Sequence, residues 1–206
     1  MKNTEVLSFF DKYNGNITSQ NGENLIINEC IKRIGLIGGI AIEFGAPTKR
    51  YYSNIYHLSD SLQWACIYYD DDPKEDGINK LIITEKNVND LPPCTIISMD
   101  TDGDDYWLWQ AYKGKPDIVI IEINSGFHAK DEAICVDNCG TSYRPMVKLG
   151  IEKGYFLLCH TGNLIFVRNE YKDLFPEINK DPLTEYEYYF RTWFLFDHIE
   201  KWEEKR

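Results

Sequence analysis

No apolar run in the 206-residue sequence approaches the ~20 residues that a membrane-spanning helix needs, so no membrane partner is expected. The opening Met1-Lys2-Asn3-Thr4 leads into a polar stretch, not a signal peptide, and the expected location is cytoplasmic. Positive charge is scarce: 22 Lys and Arg face 33 Asp and Glu, a net charge of -11. Such a balance argues against a protein that coats phosphate backbones, and nucleic acid is not an expected partner. Internal repeats, low-complexity tracts and long Gly/Pro linkers are also lacking, which leaves residues 1–206 as a single domain long enough to bury a core. A second cysteine pair is missing too. The six cysteines are Cys30, Cys66, Cys94, Cys135, Cys139 and Cys159, and Cys135 and Cys139 with His128 or His160 lack the matching pair of a zinc site. Cysteines inside runs such as Phe156-Leu157-Leu158-Cys159 read as small core hydrophobes.

What is present is an alternation of patterns. Helical spacing of apolar residues predicts a helix over 23–34, ended by Gly35, and another from Tyr143 to Lys153, ended by Gly154. Tyr56 to Leu62 and Asp104 to Tyr112 are further candidate helices. Between them stand short apolar runs that finish on acids. Gly39-Ile40-Ala41-Ile42 ends in Glu43, Ala65-Cys66-Ile67-Tyr68-Tyr69 in Asp70, Thr95-Ile96-Ile97-Ser98-Met99 in Asp100, and Asp117-Ile118-Val119-Ile120-Ile121 in Glu122. Runs apolar on both faces suggest buried parallel strands, and ligands of an open α/β sheet bind outside the carboxyl ends of its strands. The last two runs, Tyr155–Cys159 and Leu164–Arg168, are separated only by His160-Thr161-Gly162-Asn163. A parallel crossover needs a dozen or more residues, so these two pair antiparallel. The expected fold is a mostly parallel, Rossmann-like sheet closed by a C-terminal antiparallel hairpin.

The strand ends supply the candidate site. Asp70, at the end of the second run, stands where a ribose-binding acid is found in such sheets. The turn after the first run, Gly45-Ala46-Pro47-Thr48-Lys49-Arg50, has one glycine and a proline without a donor, so spacing alone does not make it a nucleotide turn. Asp100-Thr101-Asp102-Gly103-Asp104-Asp105 concentrates four carboxylates in six residues. Asp100 and Asp102 could ligate a hard cation such as Mg2+, or serve as a general base if neighbours raise a pKa. Asp102 and Asp104 read equally as solvated turn and cap residues, Asp104 being able to cap the following helix. Glu122 would lie beside Asp100, and His128 on the following loop is a candidate proton carrier or a plain surface histidine. The segment from Tyr186 to Trp202 carries eight aromatic residues and reads as a helix over 181–206 that packs on the domain, or as a substrate or homo-oligomer surface.

Taken in order, several stretches resemble the FkbM-like branch of the class I S-adenosylmethionine-dependent methyltransferases. They include Ala41-Ile42-Glu43-Phe44-Gly45-Ala46 with Tyr52-Ser53-Asn54, Trp64 to Pro73, Ile97 to Tyr106 with Trp109, Val119 to Asn124, and Gly140-Thr141-Ser142 leading to Lys153-Gly154-Tyr155. The likeness spans about residues 23–176. It implies a methyltransferase fold with S-adenosylmethionine held by Glu43, Gly45, Ala46, Ser53, Asn54 and Asp70, and methylation of a sugar or other hydroxyl-bearing small molecule near Asp100. Pro47-Thr48 departs from the family's Asp-Gly, and the short connection from Asp72 to Leu81 implies a reduced third strand. A catalytically degenerate binding or assembly domain is therefore an alternative. The Asp100-Thr101-Asp102 pattern leaves a metal-dependent glycosyltransferase as a third.

Overall fold

The computed structural model describes residues 9–15, 17–46, 48–61, 64–135 and 139–185. Residues 1–4, Pro47, Leu62 and the aromatic segment 186–202 lie outside them, and so do the expectations that rest on those residues. Seven strands form one sheet: β1 (Gly39–Phe44), β2 (Trp64–Asp70), β3 (Asn79–Lys80), β4 (Ile96–Met99), β5 (Ile118–Glu122), β6 (Tyr155–His160) and β7 (Asn163–Arg168). Their order is β3-β2-β1-β4-β5-β7-β6. The first five pair parallel, while β7 pairs antiparallel with both β5 and β6.

The helices are α1 (Phe9–Tyr13), α2 (Glu23–Ile34), α3 (Tyr56–Ser61), α4 (Asp105–Ala111) and α5 (Tyr143–Glu152). In α2 the buried residues Ile26, Ile27, Cys30 and Ile31 recur at helical spacing and form the inward stripe. It stops because Gly35, at φ 80, adopts the left-handed turn that lets its own N–H and that of Leu36 reach the Ile31 carbonyl. Trp109 anchors α4. Its fully buried ring sits 4.9 Å from Phe166 and 5.8 Å from Tyr155. Among the described residues no helix is long and apolar enough to cross a membrane.

Two expectations need correction. Asp104 sits at the N-cap of α4 but makes no side-chain cap; the carboxylate of Asp105 turns back instead and accepts the Thr101 N–H at 3.0 Å and hydroxyl at 3.1 Å. The second run is not buried on both faces. Ala65 is exposed and Cys66, Ile67 and Tyr69 are half-buried, because the strand beyond β2 is only two residues long and covers little of it.

The chain crosses from β1 to β2 and β3 on one side and to β4 and β5 on the other, so the direction of winding reverses between β1 and β4. At such a switch point the βα loops part and leave a crevice above the carboxyl ends of the strands.

Candidate functional site

A cleft of about 480 Å3 opens at this crevice. Phe44 and Gly45 line it from β1, Tyr69 to Asp72 with Lys74 from β2, Leu81 to Ile83 from the segment after β3, and Asp100, Thr101, Asp102 and Asp104 from β4. Gly45 is required by contact as well as by conformation. Its φ is 84, its N–H donates to the Tyr69 carbonyl at 3.1 Å, and a Cβ there would stand 1.3 Å from the Asp100 carbonyl oxygen. The loop after β1 is thereby pressed onto the end of β4.

Asp70 is buried, and its Oδ1 accepts the Asp72 N–H at 2.8 Å. Its carbonyl accepts the Leu81 N–H at 3.0 Å, which ties the ends of β2 and β3 together and sets Leu81, Ile82 and Ile83 along the cleft wall. Ile82 is 64 % exposed, an apolar side chain left facing water at the mouth. Lys74 pairs with Asp72 at the rim.

Glu43, Ser53 and Asn54 come together as a buried group beneath the loop that follows β1. Glu43 accepts the Ser53 hydroxyl in a short hydrogen bond and the Asn54 N–H at 2.8 Å, and the Asn54 amide donates to Ser98 Oγ at 3.0 Å. Burial pushes the Glu43 carboxyl up to about 7, although these hydrogen bonds pull the other way. None of the three lines the cleft, nor does the buried Ala46; they fix the loop from which Gly45 projects.

At the end of β4 the ligand oxygens of Asp100, Asp102 and Glu122 lie within 4.8 Å of one another. Burial first, then the charges of Glu122 and Asp105, raise the Asp100 carboxyl well above the usual carboxylate range. Glu122 is raised as well, by burial and then by Asp105, while its hydrogen bond with Asp100 works in the opposite direction. Both carboxyls are thus pushed toward the protonated form, Asp100 the more strongly, because two buried like charges this close repel. Asp105 is itself pushed up to about 6 by burial, and its charge adds to the shift of both neighbours. Asp102 is exposed at φ 57 and reaches in from the rim.

His128 is not part of this group. It is exposed, its N–H bonds to Asp131 at 2.8 Å, and it does not line the cleft. Cys135 and Cys139 with His128 or His160 form no metal-ligating cluster among the described residues, and the His160 ring is engaged with Ser125 Oγ at 3.1 Å. Sequence reasoning missed Asp105, hidden behind the more obvious Asp104. It also missed the apolar wall Leu81-Ile82-Ile83, whose signal was a run of three apolar residues just past the shortened strand. Comparison with protein-family models, with curated proteins and with solved structures finds no match to this chain.

Proposed function

We propose that the chain is a class I methyltransferase that uses S-adenosylmethionine to methylate a hydroxyl of a sugar or related small molecule. The observation that carries this reading is the cleft at the β1/β4 switch point, which joins Gly45, the acid Asp70 and the apolar Leu81–Ile83 wall in one pocket of about 480 Å3. That volume suits a nucleoside-sized ligand. The insertion of β7 antiparallel between β5 and β6, the arrangement of class I methyltransferases, supports the same reading.

The residues fit the cofactor group by group. In this reading the second oxygen of Asp70 takes the ribose hydroxyls, Ile82 and Ile83 form an apolar wall for adenine, and the amino-acid end lies at the β1 end of the cleft beside Gly45. The acidic lining complements a positively charged sulfonium. When bound, the cofactor supplies an electrophilic methyl group. An uncharged hydroxyl is a poor nucleophile, and Glu122, raised toward neutral pH beside Asp100, is the candidate general base for its proton. Asp100, Asp102 and Glu122 also form an all-oxygen donor set for a hard cation such as Mg2+, which would stabilise negative charge on the acceptor oxygen. His128 has no role in this scheme.

Isothermal titration of the full chain with S-adenosylhomocysteine tests the proposal. Binding in the micromolar range is expected, and Asp70→Ala weakens it by roughly 10- to 100-fold, the worth of hydrogen bonds to a charged group. No heat at millimolar ligand sinks the reading, and binding of a nucleotide-sugar in its place would favour the glycosyltransferase alternative.

A further inference from the structure

His57 sits in α3 with 1 % of its surface exposed, a titratable ring that takes no part in the cleft. Counting donors and acceptors around it fixes where its proton lies. Asn24 Oδ1 accepts three successive backbone N–H groups, that of Ile17 at 2.9 Å and those of Thr18 and Ser19 at 2.7 Å each. The Asn24 amide cannot be turned over, because an NH2 in that place would face three donors. Its Nδ2 therefore donates on the other side, to the Asn54 carbonyl at 3.2 Å and to His57 Nδ1 at 2.8 Å. Since Nδ1 must accept, the proton of the neutral ring is on Nε2, which donates to Asn28 Oδ1 at 3.1 Å.

Three parts of the chain meet at this one point: the 17–19 corner before α2, α2 itself through Asn24 and Asn28, and the 53–57 segment. Thr18 reinforces the junction, its hydroxyl donating to the Ser53 carbonyl at 2.9 Å. Ser53 and Asn54 in turn hold the loop after β1 through Glu43 and Ser98. The ring has no place here for a second proton. An imidazolium would set its Nδ1–H against the Asn24 Nδ2–H, donor against donor, and Asn24 could accept that proton only by releasing residues 17–19. Burial outweighs the help that the Asn54 backbone gives the charged ring and pushes His57 down to about 4. The charged groups of the surrounding elements are turned to other partners: Glu23 to Thr161 and Asn163, Glu29 to Arg33, and Glu43 to Ser53 and Asn54. On α3 itself Asp60 follows three residues after the ring.

We propose that Asn24 and His57 form an acid-released latch: protonation of His57 frees residues 17–19 from Asn24 and leaves the loop after β1 fastened through Glu43 and Ser98. The latch works whatever ligand the cleft takes. Its sign follows from proton binding. The freed ring regains its ordinary 6.5, so the open form binds more protons than the closed one, and opening grows as pH falls below 6.5 and levels off below about 4.

Amide hydrogen exchange of the full chain at pH 7.5 and pH 5, corrected for intrinsic exchange, tests this. The opening constant read at the Ile17, Thr18 and Ser19 amides is expected to rise roughly 30-fold across that step. His57→Asn puts an amide oxygen where Nδ1 stands, an acceptor for Asn24 that does not titrate, so the acid step at 17–19 disappears while exchange there stays slow at pH 7.5. Asn24→Asp sets a carboxylate against Nδ1, which favours the imidazolium, so acid slows exchange at 17–19 in that variant and the sign is reversed. A change below threefold in the wild type overturns the proposal, as does an acid step that survives in His57→Asn or keeps the wild-type sign in Asn24→Asp. An acid step shared equally with the amides of β4 and β5 reports global unfolding and overturns it too.

Discussion

Glu43 is 3 % exposed, and folding must either bury its charge or keep its proton. Its carboxyl is pushed from an ordinary 4.5 up to about 7, so between those values the folded chain holds a proton that the unfolded chain has lost. Stability therefore falls as pH rises through this window. His57, pushed down to about 4 by burial, acts in the opposite sense and costs stability as pH falls below its ordinary 6.5. Glu43→Gln keeps the shape and removes the titration. Urea unfolding at pH 5 and pH 7.5 is expected to show the wild type losing more stability across that step than the variant, by on the order of 3 kcal/mol. Parallel losses in the two proteins would show that Glu43 stays ionised in the folded state. The same residue illustrates what the sequence made legible. Its place at a strand end was readable from the apolar run before it; its burial under Ser53 and Asn54 was not, because that depends on how the following loop folds back.

At the scale of elements, α4 shows which forces hold the acidic segment in place. The helix is only seven residues long and its first residue, Asp105, is spent on Thr101, so it depends on tertiary packing more than on its own hydrogen bonds. Trp109 supplies that packing against Phe166 and Tyr155. Trp109→Ala is expected to cost about 3–5 kcal/mol in denaturant unfolding, and a loss below about 1 kcal/mol would mean that α4 is held by something else. The span of this helix, like those of α2 and α5, was legible within about two residues from periodicity and the stop signals that follow. The choice between Asp104 and Asp105 as the inward acid was not, since adjacent residues of one type differ only in the direction the turn gives them. Likewise, the two-residue link Thr161-Gly162 makes β6 and β7 antiparallel neighbours. Which of them would lie against β5 is decided by tertiary packing and was not readable.

The whole molecule sets a strongly acidic chain around a crevice that the strand order creates. Strand ends placed Gly45, Asp70 and Asp100 at that crevice in the sequence as well as in the fold, with Glu122 beside Asp100, because buried parallel strands announce themselves as apolar runs and their last residues must face the opening. The Leu81–Ile83 wall and the rim at Lys74 escaped notice since they belong to a connection whose strand is only two residues long. The central claim is that this crevice holds the cofactor. A crystal structure of the full chain grown with millimolar S-adenosylhomocysteine tests it most directly. The account predicts density for the ligand in the cleft, with ribose hydroxyls on Asp70, adenine against Ile82 and Ile83, and the amino-acid end over Gly45. A structure grown under those conditions with only solvent in the cleft, or with the ligand bound elsewhere, would contradict it.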